Sequence, residues 1–399
     1  MPHSIPALVT PSVMKWAREQ AGLDLPTAAQ RIGRPKSDIQ AWEDEAVTTR
    51  PSLAQARKAA EVYRRALAVF YLPEPPKGCQ VIRDFRHLPD ARLRAFSPEL
   101  MQLIHSLEYR QEWLREWRIE EGEEKIDFIG SLTINMAPEK VASEIKKILG
   151  IDIEEHFRCR TREDTLLLWI RHAEALGVNI SRQSDIATEE ARGFVLTDEY
   201  APFIYLNSSD AKVALLFTLI HELVHLWLNL PGISNLEGIG RNGKTENDRI
   251  EIFCNKVASL VLLDEKSFSE EWAKTAKTDT LEKRISDVAN KVKVSDEVVA
   301  RRLLDKNMIT VEKYADLRRQ FKERWMQFKK DAKIKRQDSV SFPSPHLMTV
   351  LGNGKLFTTA VLDSYSGGFL PSTTAASLLN AKVHNFQKLA AYAGSAEGK

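Results

Sequence analysis

The segment His221-Glu222-Leu223-Val224-His225 sets two imidazoles four residues apart with a carboxylate between them. On a helix of about 3.6 residues per turn the two rings lie about 40° apart on one face, so both can reach one tetrahedral divalent ion. Glu222 points round the same helix, beside the ion rather than onto it, where it can take a proton from water. The neighbours Leu215, Leu216, Phe217, Leu219, Val224 and Leu226 mark the helix as buried. Two imidazoles and a carboxylate in such surroundings are costly without a compensating cation. The chemistry indicated is metal-assisted hydrolysis, with His221 and His225 as ligands and Glu222 as the catalytic base.

A catalytic site of this kind takes three protein ligands and keeps one position open. The next predicted helix, Glu246 to Leu263, supplies candidates for the third. Glu246 and Asp248 stand at its solvent-facing start, whereas Glu251 sits among Ile250, Ile252 and Phe253 and reads as inward-looking. His/His/Glu ligation favours zinc, one Zn2+ per chain. Tyr200, Tyr205 and an arginine stay open as further donors to a tetrahedral oxyanion.

The elements that must position these groups follow from local pattern. Helices are predicted at Pro138 to Leu149 and Thr161 to Ala175, and short strands at 178–180, 193–196 and 203–207. The metal helix is expected to be capped by Ser209 or Asp210, to run from Ala211 to Leu230, and to stop at Pro231-Gly232. A strand immediately before it can offer its edge to an extended peptide, so Phe203, Ile204 and Tyr205 are read as a substrate edge strand. Residues 231–248, rich in Gly, Asn and Ser, read as a lid or gate.

Residues 12–72 read as short helices, the first capped by Ser12, and 25–44 fit a helix-turn-helix template. Ala28, Ala29 and Ile32 make the helix contact, Gly33 the turn, and Ile39 and Trp42 face the core. Pro35 to Asp44 is then the recognition helix, with Lys36, Ser37 and Gln40 exposed and Arg34 near the phosphates. The acidic run Asp38, Glu43, Asp44, Glu45 opposes DNA at that position. Pro73 to Gly78 marks a domain boundary, after which a long helix starts at Ser97-Pro98-Glu99. Leu281 to Val292 and Ser295 to Lys306 are predicted helices that echo a helix-turn-helix, read as packing around the catalytic core. The basic stretch Lys322 to Arg336 reads as a solvated helix face. Beyond Ser341 a hairpin is expected around Gly352-Asn353-Gly354, followed by small helices.

The expected fold is mainly α with a small β-sheet (α+β). It comprises a helix-turn-helix bundle (1–75), a helical linker (76–125), a zincin-like peptidase domain (126–336) and a small C-terminal α/β element (337–399). With a net charge of +2 the chain is no polyelectrolyte, so nucleic-acid binding needs a local patch. Three widely spaced cysteines give neither a disulfide framework nor a C-x-x-C site. No secretory signal opens the sequence, and its longest apolar run is interrupted by His and Glu. The reading is a cytoplasmic protein without a membrane partner.

The chain resembles the ImmA/IrrE family of metallopeptidases, in the long form that carries an N-terminal XRE-type helix-turn-helix. The motifs that carry the resemblance are Arg192-Gly193-Phe194, Ala201 through Asn207, Phe217 through His225, and Glu251 through Ala258. Tyr63 to Pro76 and Asp84-Phe85-Arg86 also look like the long form. The resemblance implies zinc ligands at His221, His225 and Glu251 and a catalytic glutamate at Glu222. It further implies an endopeptidase whose protein substrate is a helix-turn-helix repressor, cleaved to relieve transcriptional repression. Departures are Cys254-Asn255 where Ala-Asn is typical, Asp264 and Ala66 where proline is usual, and no glycine after Trp42-Glu43. The alternative is a DNA-binding regulator that uses the zincin fold as a sensor or partner-binding module.

Overall fold

The computed structural model describes residues 6–21, 23–63, 65, 67–75, 83–84, 96–234, 245–276, 279–336 and 344–394. The sequence-predicted lid, apart from its two ends, lies outside the described residues. So do Phe85-Arg86 and the side chains of the basic stretch beyond Gln327. Two compact units are present, residues 1–81 with 88–109, and residues 82–87 with 110–399.

The first unit is helical: α1 (Pro11–Gln20), α2 (Leu25–Ile32), α3 (Lys36–Trp42), α4 (Leu53–Tyr63) and a 3-10 turn at Leu67–Tyr71. Asp24 caps α2 by accepting from the Thr27 amide at 2.8 Å, and Gly33 takes the left-handed conformation that ends it, φ +75°. Ser12 is not the cap of α1; Pro11 is its first residue and Thr10 stands before it in extended conformation. Val13, Met14, Ala17, Ala28, Ile39 and Tyr63 fill the core. Across it, Arg18 pairs with Glu43 at 2.7 Å.

A long helix, α5 (Pro98–Glu120), has its first half in this unit and its second half in the next. Ser97 caps it, accepting from the Leu100 amide at 3.1 Å.

The second unit is built on one mixed sheet. Its strands are β1 (Arg83–Asp84), β2 (Asn179–Gln183), β3 (Gly193–Leu196), β4 (Phe203–Asn207) and β5 (Gly232–Ser234), in the order β1-β5-β3-β4-β2. β4 pairs parallel with β2 and antiparallel with β3, which also pairs antiparallel with β5. The helices against it are α6 (Pro138–Leu149), α7 (Ile153–Arg158), α8 (Arg162–Ala175), α9 (Lys212–Trp227) and α10 (Glu246–Leu262). Then follow α11 (Glu265–Ala273), α12 (Leu281–Lys291), α13 (Asp296–Asp305) and α14 (Val311–Arg336). Sheet and helices enclose an apolar core that includes α9, with Leu219, Ile220, Leu223 and Val224 fully buried. The end of α9 is pinned by Trp227, stacked on Phe128 at 4.1 Å between ring centres.

The hairpin expected around Gly352-Asn353-Gly354 is not there. Described residues beyond 344 are helical, as α15 (Pro345–Asn353), α16 (Lys355–Ser366), α17 (Ser372–Leu379), a short 3-10 turn and α18 (Phe386–Gly394). Gly354 is the break between two helices, with φ +89° and its Cα face against the Ile180 carbonyl. The Gly352 carbonyl accepts from Ser181 Oγ at 2.7 Å and Gln183 Nε2 at 2.9 Å. The described residues of the C-terminal segment are therefore a helical part of the second unit, fastened to β2, with no strand among them. No described helix is long and apolar enough to cross a membrane.

Candidate metal centre

β4 leads through a tight turn into α9, which begins at Lys212 and ends at Trp227, shorter at both ends than its apolar run suggests. Asn207 fixes the turn from its buried position: its side-chain amide donates to the carbonyls of Ile186 (2.7 Å) and Ala191 (2.9 Å). Asp210 does not cap α9; it faces Arg192 at 3.5 Å, and Ala211 occupies the cap position. At the far end, Asn229 in the left-handed region (φ +53°) turns the chain before Pro231 is reached.

α9 presents His221 and His225 toward Glu251 of α10. Nε2 of His225 lies 3.2 Å from Nε2 of His221 and 3.1 Å from Oε1 of Glu251, and His221 Nε2 is 3.5 Å from that same oxygen. All three side chains are at most 1 % exposed. Four-coordinate bonds of ~2.0–2.1 Å would set neighbouring donors ~3.3–3.4 Å apart, and the observed spacings straddle that value. Three electron-pair donors converging in an apolar core, with no side-chain cation among them, are a set that a divalent cation satisfies. The residues present fit the metal. Burial by itself would raise the Glu251 carboxyl; the facing imidazoles, His221 foremost, outweigh it and hold the group below the usual carboxylate range.

The rival ligands are engaged elsewhere. Asp248 closes a capping box with Thr245, whose Oγ1 accepts from the Asp248 amide at 3.0 Å, and Glu246 is exposed at the helix start. Glu222 is fully buried beside the triad. Its Oε1 lies 3.2 Å from where a Cβ on Gly193 would stand, and that Cβ would be 2.4 Å from Thr218 Cγ2 and 3.0 Å from the Tyr205 carbonyl. Only a glycine lets β3 lie this close to α9. Sequence reading had no role for Gly193 outside the family motif; a glycine inside a strand is the signal that marks a close backbone approach.

Phe203, Ile204 and Tyr205 are not an edge. β4 is an inner strand whose main chain is shared between β2 and β3, and it is buried along its whole length. Among the described strands the outer ones are β1 and β2. Tyr205 also drops out as an oxyanion donor, because its ring stacks on Phe194 and its hydroxyl donates to the Gln183 carbonyl at 3.3 Å. In the first unit Arg34, Lys36, Ser37 and Gln40 are all exposed, along α3 and just before it. Arg34 pairs with Asp38 at 3.3 Å. Glu43 is turned inward onto Arg18, which removes it from the acidic run that opposes phosphate.

Two imidazoles from one turn, a carboxylate from the next helix and a second carboxylate beside them make the side-chain set of a metallopeptidase. Residues 173–304, from α8 to α13 and including all four of these groups, match the family model described as Peptidase_M78, IrrE N-terminal-like domain. The match indicates a peptidase, and peptidases of that family are typically zinc-dependent. No curated protein matches the chain.

Proposed function

We propose that the chain is a zinc-dependent endopeptidase acting on a DNA-binding repressor of helix-turn-helix type. The observation that carries the hydrolase reading is the convergence of His221, His225 and Glu251 within 4.8 Å of one another, inside the stretch that matches a peptidase family. These three side chains would hold the ion. When bound, zinc supplies an electrophile that polarises a scissile carbonyl and acidifies water. Glu222 is the only other acid of the motif, and its buried carboxylate takes the proton from water as the water oxygen attacks the carbonyl carbon. It then returns that proton to the amide nitrogen as the C–N bond breaks. The absence of a side chain at Gly193 leaves room for the Glu222 carboxylate beside β3.

The repressor as substrate, and DNA as a partner of the first unit, rest on the family resemblance and on the exposed α3 side chains. A specific observation supports a second reading, a DNA-binding regulator that does not cleave. His221, Glu222, His225 and Glu251 are all closed from solvent, so a peptide reaches them only after this arrangement opens. Incubating the zinc-loaded protein with a repressor encoded beside its gene, with and without chelator, separates the two. The peptidase reading expects a chelator-sensitive cleaved band that Glu222→Gln abolishes while zinc content is unchanged. A promoter gel shift with no cleavage under any condition supports the regulator.

A further inference from the structure

A hydrolase that cuts an extended peptide can hold it as an added strand, its main chain paired to a sheet edge beside the reacting groups. The strand beside Glu222 is β3, which meets that side chain at Gly193. One side of β3 is taken by β4. The other is taken by β5, with Gly193, Phe194 and Val195 opposite Ser234, Ile233 and Gly232. The outer edges of the described sheet lie elsewhere. β2 is separated from β3 by β4, and Gly354 of the C-terminal helices rests on its Ile180 carbonyl. β1 is separated from β3 by β5, so it stands roughly 10 Å from β3. Among the described strands, none beside Glu222 has an open edge.

The strand in the way is a slight one. β5 has three residues, and its other neighbour β1 has two, paired Arg83 to Gly232 and Asp84 to Ile233. Both are shorter than the usual strand of about five or six residues, so few ladder bonds hold β5 in place. Its one large apolar side chain is Ile233, fully buried. The metal helix does not hang from this strand. The last carbonyls of α9 are held from another segment, Leu226 by the Gly130 amide at 3.2 Å and Trp227 by the Leu132 amide at 3.1 Å. Trp227 is also stacked on Phe128. β5 can therefore part from β3 while His221 and His225 keep their places.

We propose that β5 occupies the position of the substrate. The described fold is then a latent form, and cleavage requires β5 to unpair so that an extended segment of the protein substrate pairs with Gly193 to Val195 instead. This rests on the peptidase reading and adds to it how the site is kept closed. It also supplies the opening that the buried His221, Glu222, His225 and Glu251 require.

The test is cleavage of a purified repressor, encoded beside the gene, by the zinc-loaded full-length protein. In Val195→Cys/Gly232→Cys the two thiols stand on facing residues of an antiparallel pair, within disulfide reach. The oxidised form should cleave at least tenfold more slowly than the same protein reduced. Ile233→Ala, which removes the apolar anchor of β5, should cleave at least threefold faster than the native chain at equal zinc content. Equal rates in the oxidised and reduced forms, with the bridge verified by peptide mapping, overturn the proposal and leave the peptidase reading standing. So does an Ile233→Ala protein of native zinc content and circular dichroism that cleaves no faster. If one variant folds poorly, the other decides. Cleavage by Ile233→Ala alone, with the native chain silent, supports latency. No cleavage by native, Ile233→Ala or reduced protein, with zinc in place, refutes the peptidase reading itself and the proposal with it.

Discussion

The metal end of α9 and the exposed side of α3 were both marked by sequence as functional, and the two are built on opposite physical terms. At α9 the chemistry-bearing groups come from separate helices, are sealed from water, and are held by packing to within a few tenths of an ångström of a tetrahedral donor spacing. At α3 the groups lie close together in sequence and are solvated, and Arg34 pairs with Asp38. Catalysis needs convergence, which only a core supplies. Recognition of phosphate needs reach and charge, which a surface helix supplies without a fixed geometry. Substitutions should therefore act by large steps at the first region and by small, salt-dependent ones at the second.

The largest effect expected is on turnover. Glu222→Gln keeps shape and zinc but removes the proton acceptor, and repressor cleavage should fall roughly 10²–10⁴-fold. An unchanged rate in a zinc-replete sample would take Glu222 out of the mechanism and dissolve the contrast between the two regions.

Next comes a pH effect on the second unit's stability. Burial pushes His156 down to about 4, with Trp169 Nε1 donating to its Nδ1 at 3.3 Å. The unfolded chain binds a proton near pH 6.5 and the folded one does not until about pH 4. Stability is thus full above about pH 6.5 and is lost as the pH falls toward 4, by up to about 3 kcal/mol. Denaturant titrations at several pH values should show this slope, and His156→Gln should flatten it; an equal slope in the variant would assign the effect elsewhere.

Gly193→Ala should cost about 1–3 kcal/mol of stability, because its Cβ meets the stiff Thr218 side chain and the strand cannot withdraw without unpairing. Replacing Thr218 by Ser removes the clashing methyl, so the double variant should recover part of the loss, a coupling that chemical denaturation measures. The smallest effect is expected at α3. Lys36→Ala and Arg34→Ala should each lower the salt dependence of promoter binding by about one counterion, with zinc content and cleavage of a purified repressor unchanged.

How much of this was legible depended on how local the cause was. His221 and His225 were legible because helical periodicity alone fixes their shared face. Glu251 was legible because apolar neighbours betray an inward position in a helix. β3 and β4 were found with their bounds, yet β4 was mistaken for an edge, because which strand lies beside which is decided by non-local pairing. β2 slots in parallel on one side of β4, and β3 joins it on the other. Gly352-Asn353-Gly354 spells a hairpin turn locally, but Asn353 is drawn inside to donate to the Leu379 carbonyl at 2.8 Å, and the flanking residues are helical. A cavity at the start of α9, lined by six cations from three separated stretches of chain (Arg162, Arg192 and residues 318–324 of α14), left no motif at all.

The central claim, that His221, His225 and Glu251 hold one divalent ion, is tested most directly by metal analysis of the purified, folded protein and of Glu251→Ala. The account predicts one zinc per native chain and loss of most of that zinc from the variant on mild chelation. A folded native protein without zinc, or a variant that retains it as firmly as the native chain, would contradict it.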